Sequence, residues 1–145
     1  MTTYKTGARR DDKAGKGRFD LMPMDVASSF AIDDFFRCIN NFSETGDTDH
    51  LLDAMRTFCH RREWNTYEAL LEVAKLFESG AEHYGEDNWK KGIPTYSYLD
   101  SACRHYCKYC AGYADEAHDR AVIWNLMCCV WTKWRQNTGM EGTKA

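Results

Sequence analysis

The feature that most constrains the fold of this chain is a helical pattern between residues 66 and 85, TYEALLEVAKLFESGAEHYG. The segment contains no proline, and its apolar residues recur at intervals of three and four, which makes one face of an α-helix apolar. The predicted stripe consists of Leu70, Val73, Ala74 and Phe77. Thr66 is the predicted N-cap, and Gly80 or Gly85 is expected to end the helix.

Four further segments have the same periodicity, and no segment alternates in the way a half-buried strand does. Helices are predicted at about 25–40, 48–58, 97–110 and 115–136. Asp47 or Thr48 is the predicted cap of the second of these helices. Five helices without a strand pattern predict an all-α bundle.

The chain has 145 residues, which suffices for one hydrophobic core and is short for two. We therefore predict a single helical domain over 1–145. Its first residues are polar and aperiodic, which is typical of an extended arm, and we expect the apolar end of this arm to dock on the domain through Phe19, Leu21 and Met22. The predicted parts are the arm (1–23), a helical insert (24–65), the core helices (66–135) and a flexible tail (136–145).

Charge and hydropathy exclude several classes of protein. The net charge of −3 argues against a general nucleic-acid binder, although basic residues are concentrated in the first twenty positions. No apolar stretch approaches the roughly 20 residues that span a bilayer, and the N-terminus lacks the apolar core of a signal peptide. We expect a soluble, intracellular protein that forms no stable complex with nucleic acid or membrane.

Seven cysteines, an odd number in a chain without an export signal, are expected to be reduced and mostly buried. The alternative is a zinc site formed by Cys103, Cys107, Cys110 and His105. These four residues share one helical pattern and lack the paired knuckles of zinc ribbons, so core packing is the favoured interpretation.

Two pairs of carboxylates are candidate metal ligands. Glu68 and Glu72 lie four residues apart on one helix face, where Lys75 allows the alternative of a solvent-exposed ion pair. Glu116 and Asp119 open the last helix, where carboxylates also stabilise the helix dipole. If the two acidic faces meet in the bundle, a cation must lie between them, and Mg²⁺ suits such oxygen ligands.

Basic and aromatic side chains offer contacts for a nucleotide. The candidates for phosphate binding are Lys16, Arg18, Lys90, Lys91 and Arg104. The segment AGKGRFD is not a P-loop, because its glycine spacing is wrong and no Ser or Thr follows Lys16. Trp89 either anchors the loop after the 66–85 helix or stacks on a base.

His118 and Asn125 lie seven residues apart and therefore share one face of the last helix. On a regular helix Glu116 points about 160° away from His118. Either this helix begins at about residue 117, so that Asp115 and Glu116 can turn inward, or one of the acids is structural. For His118 and His105, a buried histidine with satisfied hydrogen bonds is the alternative to a functional role.

Several motifs in the same order resemble those of one family. They are GARRDD, GKGRFDLMP, ALLEVAKLFESGAEHYGEDNWKKG, LDSACRHY and DEAHDRAVIWNLM. Together they resemble the phage dATP/dGTP diphosphohydrolase family, a relative of the MazG all-α nucleoside triphosphate pyrophosphohydrolases. The resemblance covers the arm and residues 67–131, and it leaves 24–65 as an insert. It implies a MazG-like helical bundle with an extended N-terminal arm.

The resemblance also implies an activity, the conversion of dATP or dGTP and water to the monophosphate and pyrophosphate with Mg²⁺ or Mn²⁺. Glu72 would be the first metal ligand and would act in catalysis with Glu68, and Glu116 and Asp119 would complete the metal set. Phosphates would contact Lys16, Arg18, Lys90 and Arg104. The nucleoside would contact Asn88, Trp89, His118 and Asn125.

The biological setting that the resemblance implies is control of nucleotide pools in the cytoplasm of a phage-infected cell, including supply of dGMP for 2-aminoadenine synthesis. Members of the wider group form dimers or tetramers, so a homo-oligomer is expected. Its interface could use the surface of Trp124, Trp131, Trp134 and Cys128-Cys129. The competing hypothesis is a non-catalytic helical protein that binds a partner, in which no divalent ion shifts the melting temperature.

Overall fold

The computed structural model describes residues 1–11 and 14–138, and over this part of the chain the fold is an all-α bundle of six helices, which confirms the predicted class. The helices are α1 (Met24–Ala31), α2 (Asp34–Thr45), α3 (Asp49–Arg62), α4 (Thr66–Tyr84), α5 (Thr95–Cys110) and α6 (His118–Thr138). Short 3₁₀ turns at Phe19–Leu21 and Asn88–Lys91 precede α1 and α5. None of these helices is both long and apolar enough to cross a membrane.

The core lies around the pairing of α5 with α6, against which α3 and α4 also pack. Phe35 of α2 stacks on Tyr106 of α5 with ring centroids 3.9 Å apart, and Phe58 of α3 meets the same ring edge-on at 5.8 Å. Both phenylalanines are fully buried. Residues of the 24–65 region therefore share one hydrophobic core with α5 and α6.

The prediction of a single helix at 25–40 is wrong, because the chain forms two helices there, α1 and α2. Ile32 between them has a left-handed backbone with φ of 48°, and the Asp33 side chain accepts a hydrogen bond from the Phe36 N–H at 3.0 Å. An aspartate that caps a new helix competes with helix continuation at that point. The predicted start of α3 after Thr48 is confirmed.

The long helix α4 forms as predicted and ends before Gly85, but its buried face differs from the predicted stripe. The cap is Asn65, whose side chain accepts from the Tyr67 N–H at 2.8 Å, and not Thr66. The helix buries Ala69 and Val73 and half-buries Phe77, whereas Leu70 and Ala74 are exposed.

The arm contains a short hairpin that no strand pattern predicted. Strands β1 (Thr2–Thr3) and β2 (Arg9–Arg10) pair antiparallel, with Thr2 opposite Arg10. Each strand has two residues, which is too short to show alternation in the sequence. The predicted docking of the apolar end holds for Phe19, which is half-buried against the core, and fails for Leu21 and Met22, which are exposed.

The structure corrects two predictions near the C-terminus, the interface surface and the start of the tail. Cys128 and Cys129 are completely buried in the core, so they cannot belong to an interface surface, whereas Trp134 is partly exposed. Helix α6 continues to Thr138, so the first residues of the predicted tail are helical, and residues 139–145 lie outside the described part of the chain.

Candidate active site

A cavity of about 620 Å³ lies between the arm, the C-terminal half of α4, the turn that follows it, α5 and the start of α6. Its size is that of a typical small-molecule site. Another cavity, of about 390 Å³, lies between the 3₁₀ turn of the arm, α1, α2 and α5. The first cavity contains more of the residues predicted to contact substrate and is therefore the candidate active site.

Five cationic side chains line this cavity. They are Arg9 and Arg10 of β2, Lys16 of the arm, and Arg104 and Lys108 of α5. The acidic residues Asp11, Glu86, Asp87 and Glu116 also contribute to its wall. Such a concentration of cations, contributed by the arm and by α5, suits a polyanionic ligand such as a chain of phosphates.

Aromatic side chains form another part of the wall. Phe77 of α4 contacts Trp89 and Trp124, with ring centroids 5.4 and 5.6 Å away, and all three residues line the cavity. Trp89 also meets Trp131 edge-on at 4.9 Å. Trp89 is half-buried by these contacts and anchors the loop after α4, which was the structural alternative for this residue. It also lines the cavity.

The arm is fixed over the cavity by polar side chains of the helical body. The buried amide of Asn88 accepts from the Arg9 N–H and donates to the Arg9 carbonyl, both at 2.9 Å. Asn125 of α6 accepts from Arg10 Nη2 at 2.8 Å, and the guanidinium of Arg10 lies 5.1 Å from the centre of the Tyr98 ring. These contacts set the positions of both arginines of β2.

A buried ion pair in α5 holds the next part of the arm. Arg104 Nη1 donates to the Gly17 carbonyl at 2.7 Å and to Asp100 Oδ2 at 3.1 Å. The other oxygen of Asp100 accepts from the Phe19 N–H at 2.7 Å. Arg104, predicted to bind phosphate, thus positions the segment that carries Lys16 while it also lines the cavity.

Tyr84 at the end of α4 ties a further arm residue to the cavity wall. Its hydroxyl donates a short hydrogen bond to Asp11 Oδ1. Burial, together with this hydrogen bond, raises the pKa of Tyr84 to about 12. The hydroxyl therefore remains a protonated donor at neutral pH.

Histidines of α5 and α6 meet at the edge of the cavity. His105 Nδ1 lies 2.9 Å from His118 Nδ1 and 3.6 Å from Glu116 Oε1, and His118 Nε2 lies 2.7 Å from Asp115 Oδ1. Burial and the neighbouring His118 lower the pKa of His105 to about 3, so its ring is neutral at physiological pH. The hydrogen bond from His118 lowers the pKa of Asp115.

The start of α6 explains how these groups converge. The helix begins at His118, so Asp115 and Glu116 precede it and turn toward the two histidines. This is the first of the two arrangements considered from the sequence. His118 is 2 % exposed, whereas Glu116 is an exposed residue at the cavity mouth.

The structure brings some predicted site residues together and separates others. Those that line the cavity are Lys16, Asn88, Trp89, Arg104 and Glu116, and His118 and Asn125 contact residues of its wall. Those that do not line it are Arg18, Glu68, Glu72, Lys90, Lys91 and Asp119.

The residues outside the cavity have other neighbours. Glu72 contacts Lys75 at 2.7 Å and Arg120 at 3.6 Å, and Asp119 accepts from Arg62 at 2.9 Å. Glu68 is exposed in the first turn of α4. In the same way Arg18 contacts Asp20 at 2.6 Å and Lys90 contacts Asp87 at 3.3 Å.

The zinc alternative gains no geometric support. Within residues 1–11 and 14–138, the group of three potential metal ligands that lies close together is His105, Glu116 and His118, and it contains no cysteine. All seven cysteines are free, with Cys103 buried and Cys110 exposed.

Three cations that line the cavity were not among the predicted site residues, namely Arg9, Arg10 and Lys108. A signal existed for each: the two arginines belong to the basic arm, and Lys108 lies one helical turn after Arg104. The hairpin that turns the arginines back toward the helices was not visible in the sequence.

Comparisons with known proteins give one match. A family model described as "dATP/dGTP diphosphohydrolase, N-terminal" matches residues 43–141, a span that includes α3, α4, α5 and α6. The comparisons with curated proteins and with solved structures found no match.

Proposed function

The chain belongs to the dATP/dGTP diphosphohydrolase N-terminal family, and from this premise we propose that it hydrolyses a purine deoxynucleoside triphosphate to the monophosphate and pyrophosphate. The substrate would occupy the cavity between the arm and helices α4, α5 and α6. Both dATP and dGTP are candidates, because the family description names both.

The proposal rests on the two kinds of side chain that line the cavity, cations and aromatic rings. Cations of the arm and of α5 lie in the same cavity as an aromatic wall of Phe77, Trp89 and Trp124. A nucleoside triphosphate has the matching halves, a polyanionic chain and a flat base that stacks on aromatic rings. A volume of about 620 Å³ accommodates a ligand of that size.

The cations have a direct role in this chemistry. Breaking the bond between the α- and β-phosphorus groups leaves negative charge on the departing pyrophosphate, and fixed cations stabilise that charge. Lys16 of the arm and Lys108 of α5 both line the cavity. Arg104 orients the arm through the Gly17 carbonyl and so positions Lys16 for the same task.

A divalent ion, Mg²⁺ or Mn²⁺, forms part of the proposal. Of the four carboxylates predicted to bind metal, Glu116 lines the cavity, and its exposed oxygens fit such an ion. The ion would neutralise phosphate charge and make water a better nucleophile. The assignments of Glu68, Glu72 and Asp119 as metal ligands stay predictions from the resemblance.

Product analysis with purified protein tests the proposal. We expect dATP or dGTP with Mg²⁺ or Mn²⁺ to give the monophosphate and pyrophosphate. Lys108→Gln should lower kcat/KM by about 10-fold to 100-fold, because a cation that stabilises the leaving group is lost. Lys5→Gln, an exposed change outside the cavity, is the matched control and should retain activity. Absence of turnover with either ion would favour the non-catalytic helical protein.

The wider role stays a prediction from the resemblance. Control of phage nucleotide pools, supply of dGMP for 2-aminoadenine synthesis and assembly as a dimer or tetramer are parts of the proposal that need their own experiments. Light scattering on the purified protein would give the oligomeric state.

A further inference from the structure

The junction of α5 and α6 contains a cluster of potential metal ligands that the four-carboxylate prediction did not anticipate. One ligand atom from each of His105, Glu116 and His118 lies within 4.8 Å of the other two. We propose that these three side chains bind a divalent transition-metal ion and that Asp115 orients His118 for this purpose.

The spacing of the two imidazoles favours a shared ion. A contact of 2.9 Å between two Nδ1 atoms requires one proton between them. Two nitrogens that each lie about 2.1 Å from one ion are separated by about 3 Å at a right-angled coordination geometry. The ion can therefore replace this proton without a change in the distance between the two nitrogens. Each ring must rotate so that its Nδ1 lone pair points at the ion, and the proton must move to Nε2 of His105, which changes the tautomer of that neutral ring.

Asp115 supplies the outer contact that metal-binding histidines commonly make. His118 Nε2 lies 2.7 Å from Asp115 Oδ1, so the Nε2–H donates to the carboxylate. With a proton fixed on Nε2, the lone pair of Nδ1 is available and points toward His105. A carboxylate in this position orients the ring and makes the coordinating nitrogen more basic.

The donor set selects the class of ion. Mg²⁺ prefers an octahedral shell of oxygen ligands, whereas imidazole suits first-row transition ions such as Mn²⁺, Co²⁺ and Zn²⁺. Two imidazoles and one carboxylate leave coordination positions open, and open positions are typical of catalytic metal sites. We therefore expect a transition ion to bind more tightly than Mg²⁺ does.

The position of the cluster connects the ion with the cavity. His105 and Glu116 both line the cavity, next to the cations Arg104 and Lys108. These cations oppose the binding of a divalent ion, and the carboxylates of Asp115 and Glu116 favour it. Contact of the ion with a phosphate chain rests on the proposed function, whereas binding of the ion alone does not.

Titration with Co²⁺ in the absence of nucleotide tests the site. Protein freed of metal by a chelator should bind one Co²⁺ per chain, with visible d–d absorption, and excess Mg²⁺ should leave the spectrum unchanged. His105→Asn and Glu116→Gln should each weaken Co²⁺ binding at least about 10-fold, because each removes a ligand. The matched controls His60→Asn and Glu78→Gln change exposed residues outside the cavity and should bind Co²⁺ as the native protein does.

Three results would overturn the proposal. They are no Co²⁺ binding by the native protein, unchanged binding by both ligand variants, and an intense thiolate charge-transfer band, which would indicate cysteine ligands. Glu116 is exposed, so Glu116→Gln is expected to fold even if a change at a histidine disturbs packing. Co²⁺ binding without hydrolysis would contradict the proposed function alone, and hydrolysis without Co²⁺ binding would contradict this site alone.

Discussion

Asn88 and Arg104 show how single buried side chains hold an irregular segment in place. The amide of Asn88 satisfies both backbone groups of Arg9, and Arg104 bridges Asp100 and the Gly17 carbonyl. Both residues were predicted as substrate contacts from their type and motif. Their contacts with the arm could not be predicted, because they join residues about 80 positions apart in the chain.

The ion pair between Asp100 and Arg104 gives a prediction at the residue scale. Both side chains are buried, so Asp100→Asn leaves the guanidinium without its charged partner. We expect the free energy of unfolding, measured by urea denaturation, to fall by about 3–5 kcal/mol. Asp53→Asn, which breaks the exposed pair with Arg56, should cost at most about 1 kcal/mol. Equal effects of the two changes would contradict the structural role of Asp100.

At the element scale, periodicity predicted where helices occur better than where they end or which face they bury. The segment 66–85 is helical as predicted, yet Leu70 lies half exposed although it belongs to the apolar stripe. Burial depends on the neighbouring helix, and the sequence of α4 alone does not contain that information. The break at Asp33 was missed because a local capping bond outweighed a continuous apolar pattern.

Asp33 gives a prediction about the start of α2. One carboxylate oxygen accepts from the Phe36 N–H at 3.0 Å, and the other accepts from the Tyr106 hydroxyl at 2.7 Å. Asp33→Ala removes both bonds and should lower the free energy of unfolding by about 1–3 kcal/mol. Asp34→Ala, which removes an exposed pair with Arg37, is the control and should have a smaller effect. Equal midpoints of thermal denaturation for Asp33→Ala and Asp34→Ala would contradict the capping role of Asp33.

The cysteines of α5 give a prediction about its buried face. Burial raises the pKa of Cys107 to about 11, whereas Cys110 is exposed at the end of the helix. Because the thiolate is the nucleophile, iodoacetamide at neutral pH should label Cys110 first. Labelling of Cys107 should increase as the pH rises toward its raised pKa. Mass spectrometry of peptides from native protein and from Cys110→Ser measures both rates, and equal labelling of the two thiols at neutral pH would contradict the orientation of α5.

At the scale of the whole molecule, the cavity is assembled from segments that are distant in sequence. The sequence predicted several of its components, among them Lys16, Trp89 and Glu116. It did not predict the contact between His105 and His118, which depends on how α5 packs against α6 and on where α6 begins. The residue types of the site could be predicted from the sequence, whereas their grouping required the packing of the bundle.

We propose that this cavity directs water to the α-phosphorus of a deoxynucleoside triphosphate. Hydrolysis of dGTP and dATP in water enriched in the heavy oxygen isotope, followed by mass spectrometry of the products, identifies the phosphorus that water attacks. We expect the isotope in the monophosphate and an unlabelled pyrophosphate. Isotope in the pyrophosphate, or labelled inorganic phosphate with a nucleoside diphosphate, would show attack at another phosphorus and would contradict the proposed reaction.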